Sequence, residues 1–202
     1  MLAPFQQQLN SMKIILGSQS PRRKELLSSL FNFEVVPSNF DESTINPSQF
    51  SNPSEFVRVQ SQKKCEEIAT RIKDADMIIT ADTIVFIDNK ILGKPGTHEK
   101  AYEMISMLSG RSHSVETGVY ITMPKLNKSV SFSVETKVYF DELPEDVIKA
   151  YADSNDPLDK AGAYGIQSGA VSLIKKIDGD YSNVVGLPIH ELSVQIRKLL
   201  SE

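Results

Sequence analysis

The chain has 202 residues, 40% hydrophobic and 24% charged, long enough to bury a core without staples. Ten glycines and ten prolines exclude a collagen-like or grossly disordered class, and the single cysteine, Cys65, excludes an internal disulfide or a cysteine-rich zinc site. A net charge of −4 gives no global basic field for nucleic acid or anionic membrane, so a phosphate ligand would need a local cluster of cations.

Residues 1–12 (MLAPFQQQLNSM) carry no charged side chain and no long apolar run. They read as an N-terminal extension, not a signal peptide, ahead of a single domain over 13–202. No apolar run approaches the ~20 residues of a membrane span, and the expected setting is a reducing, cytoplasmic one. Lys13–Gly17 (KIILG) predicts a short buried strand. Pro21 suits the first position of a helix, with Leu26, Leu27 and Leu30 inward. Phe33–Pro37 predicts a second strand, and Ser38–Ser54 a polar surface loop. Pro53–Lys73 has helical period, with Phe56, Val57, Ile68 and Ile72 inward. Met77–Ile87 holds two strand-like runs, with Ala81–Asp82 between them. Thr97 is a plausible cap for a helix carrying Ala101, Met104, Ile105 and Leu108, closed by Gly110. Ser114–Met123 and Val130–Phe140 predict a hairpin, Pro144–Tyr151 a short helix and Ala170–Ile177 another strand. Leu187–Leu200 predicts a final amphipathic helix, with Ile189, Leu192, Ile196 and Leu199 inward. Strands mixed with helices indicate an α/β fold with a mixed sheet.

Five segments carry chemistry. Gly17-Ser18-Gln19-Ser20-Pro21-Arg22-Arg23 lies between a strand and a helix start. Free N–H groups there favour anions, and paired arginines offer bidentate donors to phosphate; a capped helix with solvated arginines fits as well. Thr80-Ala81-Asp82-Thr83 puts an acid within apolar sequence, which is costly unless the acid is paired, metal-bound or capping a turn. Lys94, between Gly93 and Pro95, sits on backbone held extended by the proline, though taken alone it reads as a solvated lysine. Asp159–Gln167 is dense in Gly and Ala, allowing close approach of a ligand or of packed backbone. Gly179–Pro188 supplies either backbone donors or a plain turn and helix start. The histidines His98, His113 and His190 lack metal-ligand spacing and read as packing or surface residues. Cys65 reads as a structural thiol.

Together SPRRKELL, ADTIV, ILGKP, LSGRSHSVETGV, DKAGAYGIQ and GDYSNVVGLP resemble the Maf family of nucleoside triphosphate pyrophosphatases, from about Ile14 to Leu192. The resemblance implies an elongated mixed sheet flanked by helices, in two lobes with a central nucleotide cleft, like that of inosine triphosphate pyrophosphatases. It implies hydrolysis of the α–β phosphoanhydride of a nucleoside triphosphate, a divalent cation (Mg²⁺, alternatively Mn²⁺) and a homodimer. By motif, Asp82 would accept a proton from the attacking water or bind metal, and Glu42 would help bind metal. Ser18, Arg22, Arg23 and Lys94 would hold phosphates. The family's helix lysine falls at Lys63; Lys64 follows where the family usually has Ala, so by resemblance the assignment is open between the two. Gly17 stands for a common Ala and Ser168 for a common Gly.

Arg22, Thr83 and Gln167 resemble the specificity set of the branch that hydrolyses dTTP and UTP. A carboxamide at Gln167 can pair with the N3–H donor and adjacent carbonyl of uracil or thymine. The implied substrates are dTTP, UTP and 5-modified pyrimidine triphosphates. Two alternatives stay open: an inosine/xanthosine triphosphate pyrophosphatase, and a nucleotide-binding regulator of cell division with little turnover.

Overall fold

A computed structural model describes residues 1–50 and 52–201. Position 51 of the polar loop and position 202 at the expected domain end lie outside the described residues. The helices are α1 (Gln6–Ser11), α2 (Pro21–Ser28), α3 (Pro53–Arg71), α4 (His98–Leu108), α5 (Glu145–Ala152), α6 (Tyr181–Val185) and α7 (Ile189–Ser201). The strands are β1 (Ile14–Leu16), β2 (Glu34–Val35), β3 (Met77–Ile87), β4 (Lys90–Leu92), β5 (Ser112–Met123), β6 (Lys128–Phe140) and β7 (Ile174–Asp178). They pair in the order β2-β1-β3-β5-β6-β7, with β4 also on β3. β1 is parallel to β2 and β3, whereas β3–β4 and β6–β7 are antiparallel. The sheet is therefore mixed, as expected.

The helix starts follow local chemistry. Pro21 and Pro53 occupy first-turn positions, and Ser20, Asn52 and Thr97 accept from backbone N–H groups three residues on. Three expectations need correction. Met77–Ile87 is one continuous strand, not two runs. Its near-unbroken burial suits a strand covered on both faces, and Asp82 needs no turn because an ammonium pairs with it. Residues Gly169–Leu173 form a 3-10 helix, so the last strand begins at Ile174. Ala170 and Leu173 are buried while Val171 is 61% exposed, a spacing of three that a strand cannot supply. The second strand shrinks to Glu34–Val35, an exposed pair beside β1, ahead of Pro37, which has no N–H to give. Sequence reading also left α6 as a turn; Asp180 accepts from the Ser182 N–H at 2.7 Å just ahead of it.

The chain divides into two compact units: Met1–Asp82, Thr117–Val134 and Gly186–Glu202 form the first, and Thr83–Glu116 and Glu135–Val185 the second. In the first, β1, β3, β5 and α7 contribute Ile14, Leu16, Ile79, Ile121, Leu192 and Ile196 to one core. Leu2 and Leu9 from the N-terminal twelve residues are buried in it too. Ile15, Cys65, Ile68 and Ile78 form a smaller cluster under α3. At Gly118 a Cβ would lie 2.4 Å from the Val57 carbonyl carbon and oxygen. Glycine there lets the α3 backbone rest on β5. In the second unit, Val85, Ile105, Leu108, Val138 and Leu173 gather between α4, α5 and the strands.

Candidate active site

Parallel pairing aligns Leu16 with Ile79, and the Gly17 N–H donates to the Ile79 carbonyl at 2.8 Å. The turn after β1 thus runs beside Ala81 and Asp82, at the carboxyl end of a parallel strand, where open α/β sheets bind ligands. A Cβ at Gly17 would lie 2.4 Å from Ile68 Cδ1 and 2.5 Å from Thr80 Cγ2. Ile68 and Thr80 fill the space that any Cβ there would need. Ser18 is buried and accepts from the Ser20 N–H at 3.2 Å. Arg23 donates from Nε to the Gly186 carbonyl at 2.8 Å, and from Nη1 to the Ala81 carbonyl at 2.9 Å and Ser18 Oγ at 3.3 Å. Burial lowers its pKa, countered by the negative charge of Asp82 and Glu42. Arg23 ties together the turn, the strand residue before Asp82 and the entry to α7. Arg22 is half-buried on the same helical turn.

The acidic side chains come from remote stretches. Glu42 opens a 3-10 turn, Glu42–Thr44, in the polar loop. Its neighbour Asp41 is used as the cap, accepting from the Ser43 N–H at 3.0 Å and Ser43 Oγ at 2.7 Å. That leaves Glu42 to face α3. Gln60 Nε2 donates to the Glu42 carbonyl at 3.2 Å. One turn later on the same helix, Lys64 Nζ lies 3.0 Å from Glu42 Oε1 and 2.6 Å from Asp82 Oδ1. Lys64 and Asp82 are both buried. Lys63 instead pairs with Glu66 at 2.8 Å on the exposed face of α3. Sequence reasoning left the helix lysine open between 63 and 64 and missed Gln60. The signal was present: Val57, Ser61, Lys64 and Ile68 recur at helical spacing and are all buried.

These groups fit a divalent cation. Two carboxylate oxygens already converge on one cationic nitrogen, both within 3.0 Å of it. Hard oxygen donors suit Mg²⁺, which uses few carboxylates and completes its shell with water and phosphate oxygens. Among the described residues no group of three or more His, Cys, Asp or Glu could by itself hold a metal ion.

Of the remaining expected residues, Thr83 follows Asp82 on β3 and is half-buried, while Lys94 and Gln167 are exposed. Lys94 and Gln167 belong to the second unit. There the Gly162 N–H donates to the Gly93 carbonyl at 3.1 Å, joining the Lys94 segment to the Gly- and Ala-rich loop. Gly162 has φ +67°, and a Cβ there would lie 2.6 Å from Val85 Cγ2, so the dense small residues serve close backbone packing. His113 is buried with Nε2 2.8 Å from Tyr164 Oη, and His98 Nδ1 lies 2.8 Å from the Ala152 carbonyl. Burial pushes the Cys65 thiol up to about 12, which makes it inert at neutral pH.

A family model described as Maf-like protein matches residues 13–199. A dTTP/UTP pyrophosphatase of Carboxydothermus hydrogenoformans is 44% identical over 93% of this chain and 98% of its own. One from Thermoanaerobacter sp. is 46% identical over 90% of this chain and 93% of its own. One from Methanococcoides burtonii is 43% identical over 93% and 95%. Among solved structures, the Staphylococcus aureus Ham1 protein aligns over 92% of this chain and 98% of its own, at 11% identity and a TM-score of 0.47. With the family model spanning almost the whole chain and relatives of this identity over most of it, the chain belongs to the Maf family.

Proposed function

We propose that this chain is a nucleoside triphosphate pyrophosphatase that hydrolyses dTTP and UTP, and 5-modified pyrimidine triphosphates, to the monophosphate and pyrophosphate. The observation that carries the reading is the meeting of Glu42, Lys64 and Asp82 in a chain whose relatives bear the name dTTP/UTP pyrophosphatase.

Asp82 accepts the proton of the attacking water at a carboxylate oxygen. The water oxygen forms a bond to the α-phosphorus, and the bond from that phosphorus to the bridging oxygen of the leaving pyrophosphate breaks. Lys64, whose Nζ lies 2.6 Å from Asp82 Oδ1, fixes the direction of that carboxylate before substrate arrives. Glu42 and Asp82 would hold a divalent cation, Mg²⁺ or alternatively Mn²⁺, whose charge when bound offsets that of the triphosphate. Ser18 and Arg22 contact phosphate oxygens, and Arg23 keeps the Ser18 turn in place through its carbonyl contacts as well as adding positive charge. Lys94 is assigned to phosphate, and Arg22, Thr83 and Gln167 to substrate choice, by their motifs. We take Lys64, not Lys63, as the family's helix lysine, because it is the one that meets both carboxylates. A homodimer and a cytoplasmic setting follow the family resemblance. Among the described residues no helix is long and apolar enough to cross a membrane.

The test is product analysis across canonical and modified triphosphates, with and without Mg²⁺. The expected products are dTMP or UMP with pyrophosphate, formed only with the metal. Release of orthophosphate, or preference for a purine triphosphate, would overturn the reading.

A further inference from the structure

Two acids, Glu42 and Asp82, and two bases, Arg23 and Lys64, meet in the first unit. Their charges cancel. Arg23 is fixed: its guanidinium donates to the Gly186 and Ala81 carbonyls and to Ser18 Oγ. Lys64 is held differently. Among the described residues its ammonium contacts the two carboxylates alone, Asp82 Oδ1 at 2.6 Å and Glu42 Oε1 at 3.0 Å. It is a compact charge on a flexible stem, able to be re-aimed where a forked guanidinium is not. The Lys64 and Asp82 side chains are 9% and 12% exposed, but that of Glu42 is 57% exposed, so the pair of acids is reached from solvent on the Glu42 side. A dication cannot simply be added to this arrangement. Mg²⁺ takes carboxylate oxygens at about 2.0–2.1 Å. Bound to Asp82 Oδ1, it would stand no more than about 5 Å from an ammonium 2.6 Å from the same atom. The two cations would repel at a largely buried place that salt screens little.

We propose that Lys64 and the divalent cation exchange places: the ammonium sits between Glu42 and Asp82 until the cation takes the two carboxylates, and then turns to the triphosphate. This rests on the reading of Glu42 and Asp82 as the cation's ligands. The exchange keeps charge matched at each stage. Two bare carboxylates from remote stretches repel each other, and the ammonium holds them together. While it does so the acids are neutralised and the site has no surplus charge with which to attract phosphate. Once the cation holds the acids, the surplus is positive, and the freed ammonium presents part of it. A triphosphate is the polyanion that takes this surplus up. Lys64 thereby makes firm binding of the triphosphate conditional on the cation.

The experiment uses Mn²⁺ as the probe, its binding to the whole protein read without nucleotide by calorimetry and electron paramagnetic resonance. Lys64→Met keeps most of the side-chain bulk and removes the charge. It should bind Mn²⁺ about tenfold more tightly than the parent, the scale of losing one competing charge a few ångströms away. It should melt at a lower temperature without metal, and Mn²⁺ should raise its melting temperature by more than it raises the parent's. At saturating Mg²⁺ its affinity for a non-hydrolysable dTTP analogue should fall about tenfold, through loss of a charge-assisted hydrogen bond to phosphate. Lys64→Arg keeps the charge and should show no gain in Mn²⁺ affinity. The opposite signs of the two changes carry the test. A lysine that only props up the acids gives Mn²⁺ affinity unchanged or weaker in Lys64→Met, and one that stays on the carboxylates gives tighter Mn²⁺ with no loss of the analogue. Either result overturns the proposal, as does Mn²⁺ binding undetectable in both proteins. If Lys64→Met does not fold, Lys64→Gln decides. Glu42→Gln and Asp82→Asn separate the two readings. If they weaken Mn²⁺ binding while Lys64→Met fails to tighten it, only the exchange falls. If neither weakens it, the cation is held elsewhere, and the assignment of the two acids as its ligands falls too.

Discussion

Lys64 shows how much depends on one position. Moving one residue along a helix turns the side chain by about 100°, so Lys63 meets solvent and Glu66, whereas Lys64 meets Glu42 and Asp82. The pair of variants tests this directly. Lys63→Ala removes an exposed pair of little value and should leave kcat/KM within about twofold. Lys64→Ala leaves a buried Asp82 without its cation and should cost more than about tenfold in kcat, together with a measurable loss of stability. Asp82→Asn keeps the shape but cannot take a proton. It should lower kcat by about a hundredfold or more, while a non-hydrolysable dTTP analogue still binds, as read by calorimetry. Cys65, one residue further on, faces the small apolar cluster under α3 and has no part in the chemistry.

At the scale of elements, α3 carries the side chains that meet Glu42 and Asp82. Asn52 caps it, accepting from the Glu55 N–H at 2.8 Å, and its inward stripe sets Gln60 and Lys64 one turn apart. Gln60 holds the Glu42 main chain while Lys64 holds its carboxylate. The height of the helix above β5 is set where the strand has no side chain, at Gly118. Gly118→Ala would drive a methyl into the Val57 peptide, where neither partner can swing aside. The expected cost is about 1–3 kcal/mol, read as a lower denaturant midpoint. Displacement of α3 should also raise the Mg²⁺ concentration needed for half-maximal rate. A melting curve and metal titration equal to the parent's would show that α3 is not held there. The continuous β3 belongs at this scale too. An acid in apolar sequence suggests an interruption, but the strand carries Asp82 without a break because a lysine from another element neutralises it.

For the molecule as a whole, the acid limb of stability has an identifiable source in His113. The ring is buried against Phe140 and Tyr164, with Nε2 beside the Tyr164 hydroxyl. Burial lowers its pKa from 6.5 to about 4. The unfolded chain therefore takes up this proton first, and stability is lost as pH falls from about 6.5 to about 4. The full shift corresponds to about 3 kcal/mol. Urea unfolding at pH 7 and pH 4.5 should show the loss, and His113→Gln should flatten it. An unaltered pH slope in that variant would assign the acid limb to other groups.

The sequence by itself determined the family, the alternation of strands and helices, the helix cap at Thr97, and the identity of Glu42 and Asp82 as the acids to watch. Those features are local: caps, turn residues, hydrophobic period and short motifs are written within a few neighbouring positions. Only the tertiary structure decided which of two adjacent lysines meets the carboxylates, that Arg23 holds main-chain carbonyls, that β3 runs unbroken, and that residues 169–173 coil before the last strand begins. Each of those depends on what a distant segment brings to within about 3 Å, and no local pattern in the chain encodes the distance between Glu42, Lys64 and Asp82.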